Sequence, residues 1–123
     1  MSVVRIALVE DDSRHVQKIT AYLERYRTEK GLTMTARVFP DGEDIAENYK
    51  PVYDLILLDI RMRFMDGMTA ARKIREKDRE VISIFLTSMA GNAIQGYEVE
   101  ALDFILKPVS CDVLDFAVRR RIC

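Results

Sequence analysis

The chain has 123 residues, of which 32% are charged and 49% hydrophobic, and this composition excludes a disordered tail, a collagen-like fibre and a disulfide scaffold. Nineteen Lys and Arg residues against twenty Asp and Glu residues give a formal net charge of -1, which argues against broad binding to nucleic acid or to membrane surfaces. We therefore expect one globular domain over residues 1–123.

The cysteines and the N-terminal sequence indicate the compartment. Cys111 and Cys123 lack Cys-x-x-Cys spacing and have no histidine nearby, so we expect free thiols in a reducing environment. The first residues carry no signal-peptide pattern, and no apolar run reaches the ~18 residues that a membrane span requires. These features predict a cytoplasmic protein.

Five short apolar runs predict β-strands. They cover residues 3–9, 33–39, 55–58, 81–86 and 103–106. The run at 55–58 is apolar at successive positions, which is typical of a strand that is covered on both faces. We expect it to be the central strand of a sheet.

Segments with helical periodicity lie between these runs. The first repeats apolar residues at helical spacing, namely Val16, Ile19, Leu23 and Tyr26. Asp12 or Ser13 is its predicted N-cap. The turn sequence Pro40-Asp41-Gly42 precedes a short helix that is predicted to run through Tyr49 and to be ended by Pro51.

Three further helices complete the pattern. One begins near Met68 and ends in the charged stretch 75–80, and the others cover 90–99 and 110–122. Strict alternation of strands and helices predicts an α/β fold with one doubly wound parallel sheet, right-handed crossovers and helices on both faces.

Polar residues follow four of the five predicted strands, where ligands bind in sheets of this kind. They are Glu10, Asp11 and Asp12, then Asp59, then Thr87 and Ser88, and finally Lys107. Clustered carboxylates suit a hard divalent cation, so we expect a Mg²⁺ site that keeps several waters. Asp59 is the predicted nucleophile towards a phosphoryl donor, with Lys107 and Thr87 contacting the phosphoryl oxygens.

Four motifs occur in order along the chain: V-E-D-D at 9–12, L-D-I-R-M-R-F-M-D-G at 58–67, L-T-S at 86–88 and D-F-I-L-K-P at 103–108. Together they resemble the receiver domain of bacterial two-component response regulators over essentially the whole chain. The resemblance implies a (βα)5 domain with the flavodoxin-like strand order 2-1-3-4-5.

The resemblance also implies a role for individual residues. Asp59 corresponds to the phosphoacceptor and ligates Mg²⁺, as does Asp11, while Glu10 reaches the metal through water and Arg61 offers its backbone carbonyl. Two residues act as the switch, Thr87 through its hydroxyl and Phe104 through its ring. Lys107 binds the phosphoryl group.

By the same resemblance, a sensor histidine kinase donates the phosphoryl group, and the domain catalyses only its own phosphorylation and dephosphorylation. Phosphorylation then switches the face made by segment 90–99, strand 103–106 and segment 110–122. The expected output is homodimerisation or control of an effector, in transcription regulation. Residues 96–104 resemble receivers that precede a LytTR-type DNA-binding domain, which would lie outside this chain.

One departure and three alternatives accompany this interpretation. In this chain Arg63 replaces the proline that the family usually has four residues after the phosphoacceptor, which leaves the loop a backbone N–H and more freedom.

An aspartyl-phosphate phosphohydrolase is disfavoured because Arg61 stands where that class has an acid. A nucleotide-binding domain is also disfavoured, because it would need a glycine-rich turn where Glu10 and its neighbours lie. A receiver-like module that binds partners without phosphorylation stays open.

His15, on the first predicted helix, is expected to be a solvated side chain without a catalytic role.

Overall fold

The computed structural model of the chain describes residues 3–31, 33–59, 64–65, 67–87 and 103–106, with Thr87 and residues 103–106 described by their backbone alone. The strands are β1 (Val4–Val9), β2 (Met34–Phe39), β3 (Leu55–Asp59), β4 (Ile82–Thr87) and β5 (Asp103–Leu106). The helices in these ranges are α1 (Ser13–Lys30), α2 (Gly42–Ala46) and α3 (Gly67–Lys77). The helices predicted at 90–99 and 110–122 lie outside the described residues.

The strands form one sheet in the order β2-β1-β3-β4-β5, and every neighbouring pair is parallel. Parallel neighbours need crossover connections, and α1, α2 and α3 lie in the connections between the first four strands. The predicted fold class and strand order are confirmed.

Side chains that alternate along the inner strands divide the core into two layers. One layer joins the strands to α1 and includes Ile6, Leu8, Leu55, Leu57, Ile84 and Leu86. The other joins them to α2 and α3 and includes Ala7, Val9, Ile56, Leu58 and Phe85. Residues 55–58 are fully buried, which confirms the central strand, and each such side chain contributes about 1.5–3 kcal/mol relative to an exposed one.

The start of α1 is fixed by its N-cap. Asp12 accepts a hydrogen bond of 2.9 Å from the backbone N–H of Arg14, as predicted for one of the two candidate caps. Hydrogen bonds from the Arg14 side chain and backbone hold the pKa of the Asp12 carboxyl below its usual range. Asp12 is therefore anionic where the helix dipole favours a negative charge.

The prediction that the second helix runs through Tyr49 and is ended by Pro51 is wrong. The helix ends at Ala46, Glu47 is its C-cap with extended backbone, and Asn48 follows with φ 58°. Asn adopts this left-handed conformation more readily than most residues, so the chain leaves the helix before the proline.

None of the helices within the described part of the chain is long and apolar enough to cross a membrane.

Replacing Tyr49 with Phe is expected to lower the free energy of unfolding by about 1–2 kcal/mol at neutral pH, measured by urea denaturation. The Tyr49 hydroxyl donates a 2.8 Å hydrogen bond to the carboxylate of Asp78, which also accepts from the backbone N–H groups of Glu80 and Val81. The substitution leaves this carboxylate with one donor fewer. Tyr22→Phe, on half-buried Tyr22 of α1, is the matched control and should change stability little.

The Tyr49–Asp78 hydrogen bond also predicts how the stability of the fold depends on pH. Burial is the larger cause that raises the pKa of Tyr49, and the Asp78 carboxylate is the second. A raised pKa in the folded state means that the stabilisation is complete below the unfolded pKa, near 10, and is lost as the pH rises through the folded value. Wild type should therefore lose stability more steeply above pH ~10 than Tyr49→Phe. Parallel alkaline profiles would contradict this assignment.

Candidate functional site

The carboxyl ends of β1 and β3 lie side by side at one edge of the sheet. Val9 is paired with Leu58 in the parallel register, so Glu10 and Asp59 come next at the same level of adjacent strands. The backbone N–H of Glu10 donates a 3.0 Å hydrogen bond to the carbonyl of Phe39 on the other side. Strand pairing therefore fixes the backbone of the first acidic residue and places it beside the second.

Three carboxyl groups meet at this edge. One oxygen each from Glu10, Asp11 and Asp59 lie within 4.8 Å of one another. Glu10 is 1% exposed and Asp59 8% exposed, whereas Asp11 lies open to solvent. The structure thus brings together three of the residues that the sequence singles out.

The Glu10 carboxylate is held in place by the start of α1. Its Oε2 accepts from the backbone N–H of Asp11 at 3.1 Å and of Asp12 at 3.4 Å. Its Oε1 lies 3.3 Å from Nδ1 of His15. These contacts orient a buried carboxylate that would otherwise carry a large desolvation cost.

His15 was expected to be a solvated side chain, and the structure adds a contact that this expectation did not include. Its side chain is 40% exposed, but Nδ1 faces the carboxylates of Glu10 and, at 3.8 Å, Asp12. His15 is the third residue of α1 after the Asp12 cap, a position whose side chain folds back over the helix start. The place of His15, three residues after the Asp12 cap, was therefore the sequence feature that could have indicated this contact.

Close carboxylates repel one another, and this repulsion indicates what the edge can bind. Two unit charges 4.8 Å apart repel by about 3 kcal/mol at an effective dielectric constant of ~20. A small divalent cation would relieve the repulsion. The three groups offer only hard oxygen donors, one of them exposed to water, and this donor set fits Mg²⁺ with retained waters.

Of the other predicted site residues, the structure describes only the backbone of Thr87 and Phe104. Asp59 is paired with Leu86 on β4, so the backbone of Thr87 lies one residue beyond the level of Asp59 on the neighbouring strand. Phe104 is paired with Phe85 in the backbone register of β5. Lys107 directly follows β5 but lies outside the described residues, as does Arg61.

Asp41 is a residue whose role the sequence did not reveal. It was assigned to a turn, but its side chain is buried, with 4% exposure, and caps α2 by accepting from the Glu43 N–H at 3.0 Å. It also accepts from the backbone N–H groups of Phe64 and Met65, both at 2.8 Å. An Asp before Gly-Glu signals a helix cap, whereas the contact across more than 20 residues has no local signal.

A cleft of about 540 Å³ opens beside Asp11, between the start of α2 and Phe64. Phe64 itself is 72% exposed. Of the three clustered carboxylates, Asp11 lines this cleft.

Comparison with known proteins places this geometry in a family. The family model described as the response regulator receiver domain matches residues 6–119. The chain is 34% identical to the transcriptional regulatory protein RprY of Bacteroides fragilis, over 97% of this chain and 50% of that protein. It is 29% identical to the sensory transduction protein LytT of Oceanobacillus iheyensis, over 92% of this chain and 46% of that protein. The chain thus spans about half the length of these curated relatives.

A solved structure gives the same result. The receiver domain of the Pseudomonas aeruginosa sensor histidine kinase PA1611 superimposes with a TM-score of 0.81 at 26% identity, covering 98% of each chain. That structure contains a magnesium ion coordinated in its active-site cleft. From the extent of the family match and the shared fold, the chain belongs to the response regulator receiver domain family.

Proposed function

We propose that this chain is a phosphorylation-controlled switch that accepts a phosphoryl group on Asp59. The observation that carries the proposal is the meeting of the Asp59, Glu10 and Asp11 carboxylates at the carboxyl edge of the sheet. Receiver domains are signalling domains rather than classical enzymes. The chemistry proposed here is accordingly confined to the domain's own phosphorylation and its reversal.

The side chains divide the work between metal binding and nucleophilic attack. Asp11 and Asp59 would ligate Mg²⁺ directly, with the Arg61 carbonyl, and Glu10 would reach it through water. The cation, when bound, offsets the negative charge of the donor and the carboxylates. The Glu10 hydrogen bonds to the backbone of residues 11 and 12 keep its carboxylate aimed at the cluster, so the ligands are preorganised.

The transfer itself needs one bond formed and one broken. A carboxylate oxygen of Asp59 attacks phosphorus, and the bond from phosphorus to the leaving nitrogen or oxygen breaks, with the electron pair going to the leaving group. For a sensor histidine kinase the leaving group is the histidine ring nitrogen. Thr87 would donate its hydroxyl, and Lys107 its ammonium, to the phosphoryl oxygens that carry the added charge.

The added charge of about −1.5 to −2 on Asp59 is the signal. It would draw Thr87 and Lys107 towards the phosphoryl group and let Phe104 turn inward. By the family resemblance, the affected face would comprise segment 90–99, β5 and segment 110–122, of which only the backbone of β5 lies within the described residues. Since the matched relatives are about twice as long as this chain, we propose that the output is transmitted to a further domain, of DNA-binding type, or to a second copy of the chain.

Incubation with a small phosphodonor and Mg²⁺ is expected to add the mass of one phosphoryl group to the wild-type chain, detected by intact mass spectrometry. Asp59→Asn removes the nucleophile and should abolish the gain. Asp54→Asn is the matched control, because Asp54 is an exposed acid at the opposite end of β3 and should leave the gain unchanged.

Equal labelling of Asp59→Asn and wild type would contradict the assignment of the nucleophile. A wild-type chain that takes up no phosphoryl group while still binding a partner would favour the module that works without phosphorylation.

Mg²⁺ is expected to raise the urea midpoint of the wild-type chain, because a cation that binds only the folded state adds about 1.4 kcal/mol at ten times its Kd. Asp59→Asn removes one of the repelling charges, so it should be more stable than wild type without Mg²⁺ and should respond less to the cation. Asp44→Asn, an exposed acid on α2, is the control that should respond as wild type does. An equal Mg²⁺ response in Asp59→Asn would remove Asp59 from the ligand set.

A further inference from the structure

The strand β2 forms one edge of the sheet, and alternate residues of its backbone face away from the other strands. The backbone N–H of Val4 donates to the carbonyl of Thr33, and that of Glu10 donates to the carbonyl of Phe39. In a parallel ladder with this register, the odd-numbered residues of β2 are the ones that bond to β1. The backbone N–H and C=O groups of the even-numbered residues therefore point to the open edge, and these residues are Met34, Ala36 and Val38.

Side chains leave this edge uncovered. Residues 35–38 are all exposed, so neither face of the strand is closed over them. Edge strands are usually protected by charged side chains, by proline or by a bulge. The register with β1 is continuous from Met34 to Phe39, so β2 contains no bulge, and Pro40 comes only after its last residue. Protection of this edge would have to come from charge.

Arg37 is the one charged residue of β2, and its guanidinium lies over the strand itself. Its Cζ atom is 4.9 Å from the centre of the Phe39 ring, two residues further along the same face. An aromatic ring attracts a cation placed over it in this way. The charge therefore lies over its own strand rather than beyond the edge, and Ala36 and Val38 on either side of it stay exposed.

A second copy of the chain fits this edge when the two β2 strands run antiparallel about a two-fold axis at Ala36. Ala36 then lies opposite its own copy and Met34 opposite Val38, and each pair exchanges two backbone hydrogen bonds. Met34 packs against the core layer of α1, and Val38 is 40% exposed. The apolar layer would therefore continue across the axis from one copy to the other.

The charge pattern of β2 selects this register. On the other face of the strand, Arg37 lies opposite Thr35 of the second copy. A slip of two residues in one direction would put Arg37 opposite Arg37 of the second copy, and like charges directly opposite destabilise a sheet. A slip in the other direction would leave Val38 without a partner from β2 of the second copy. The register at Ala36 therefore pairs every outward residue and avoids the repulsion.

We propose that the β2 edge is a self-association surface, through which two copies of the chain form one continuous sheet. This surface is separate from the proposed phosphoryl switch, because β2 and β5 lie at opposite edges of the sheet and the pairing uses neither Mg²⁺ nor a phosphoryl group. A stable interface has about 20–30 residues a side, and this strand pair has far fewer. The dimer is accordingly weak and depends on concentration.

Amide hydrogen exchange by NMR on the wild-type chain tests the pairing, in dilute and concentrated samples without Mg²⁺ or phosphodonor. The amides of Met34, Ala36 and Val38 should exchange more slowly in the concentrated sample. The amides of Thr35 and Arg37 bond to β1 already in the monomer, so their rates should depend little on concentration. Sedimentation velocity should show the mass moving from monomer towards dimer over the same range.

Opposite charges introduced at position 35 test the register. Thr35→Glu places a carboxylate opposite Arg37 of the second copy, twice in the dimer, and should lower the dimer dissociation constant roughly two- to thirtyfold. Thr35→Lys places like charges there and should raise the constant by a similar factor. Lys73→Gln and Glu76→Gln, at exposed positions of α3, are the matched controls. They change the net charge by the same amounts and should leave the dissociation constant nearly unchanged.

A wild-type chain that stays monomeric at millimolar concentration would overturn the proposal. Equal dissociation constants for the two Thr35 variants would overturn it too, since the dimer would then form through another surface. Weaker association of both variants would place the axis at Thr35 and contradict the register. A dimer that forms only after phosphorylation of Asp59 would also overturn the proposal, because self-association would then belong to the phosphorylation-dependent face.

Discussion

Parallel pairing of β1 with β3 is the constraint on which the site depends. Because Val9 is paired with Leu58, the next residues, Glu10 and Asp59, lie together at one edge of the sheet. Folding therefore forces two buried carboxylates into proximity, with Asp11 beside them. The apolar layers on both faces of β3 supply the stabilisation that offsets this repulsion. The mutual repulsion of these carboxylates is the physical reason for proposing a cation here.

Contacts at the starts of two helices hold groups close to this edge. At the start of α1, backbone N–H groups and the His15 ring orient the Glu10 carboxylate. At the start of α2, the Asp41 carboxylate accepts from the backbone N–H groups of Phe64 and Met65. Both devices use the beginning of a helix, where acidic side chains and free backbone donors naturally occur together. The sheet thus sets which residues meet, and the helix starts set how they are oriented.

Local pattern was sufficient to predict the central strand and the residues at the strand ends, because these follow from burial period and from the geometry of parallel sheets. The strand order was implied by the family resemblance rather than by local pattern. Local pattern was insufficient for contacts between distant segments. The helix α2 ends earlier than its apolar spacing predicted, because the backbone at Asn48 is left-handed. The spacing of apolar residues through Tyr49 carries no information about that backbone conformation. In the link from Asp41 to Phe64, a side-chain carboxylate accepts from a backbone N–H, and a backbone donor leaves no trace in the side-chain pattern.

The central claim is that the Glu10, Asp11 and Asp59 carboxylates form one cation site. Anomalous diffraction from crystals soaked in Mn²⁺, which prefers the same oxygen ligands as Mg²⁺, tests it most directly. We expect a peak within bonding distance of Asp11 and Asp59 and one water away from Glu10. A peak at another acidic group of the chain, with none at this edge, would contradict it.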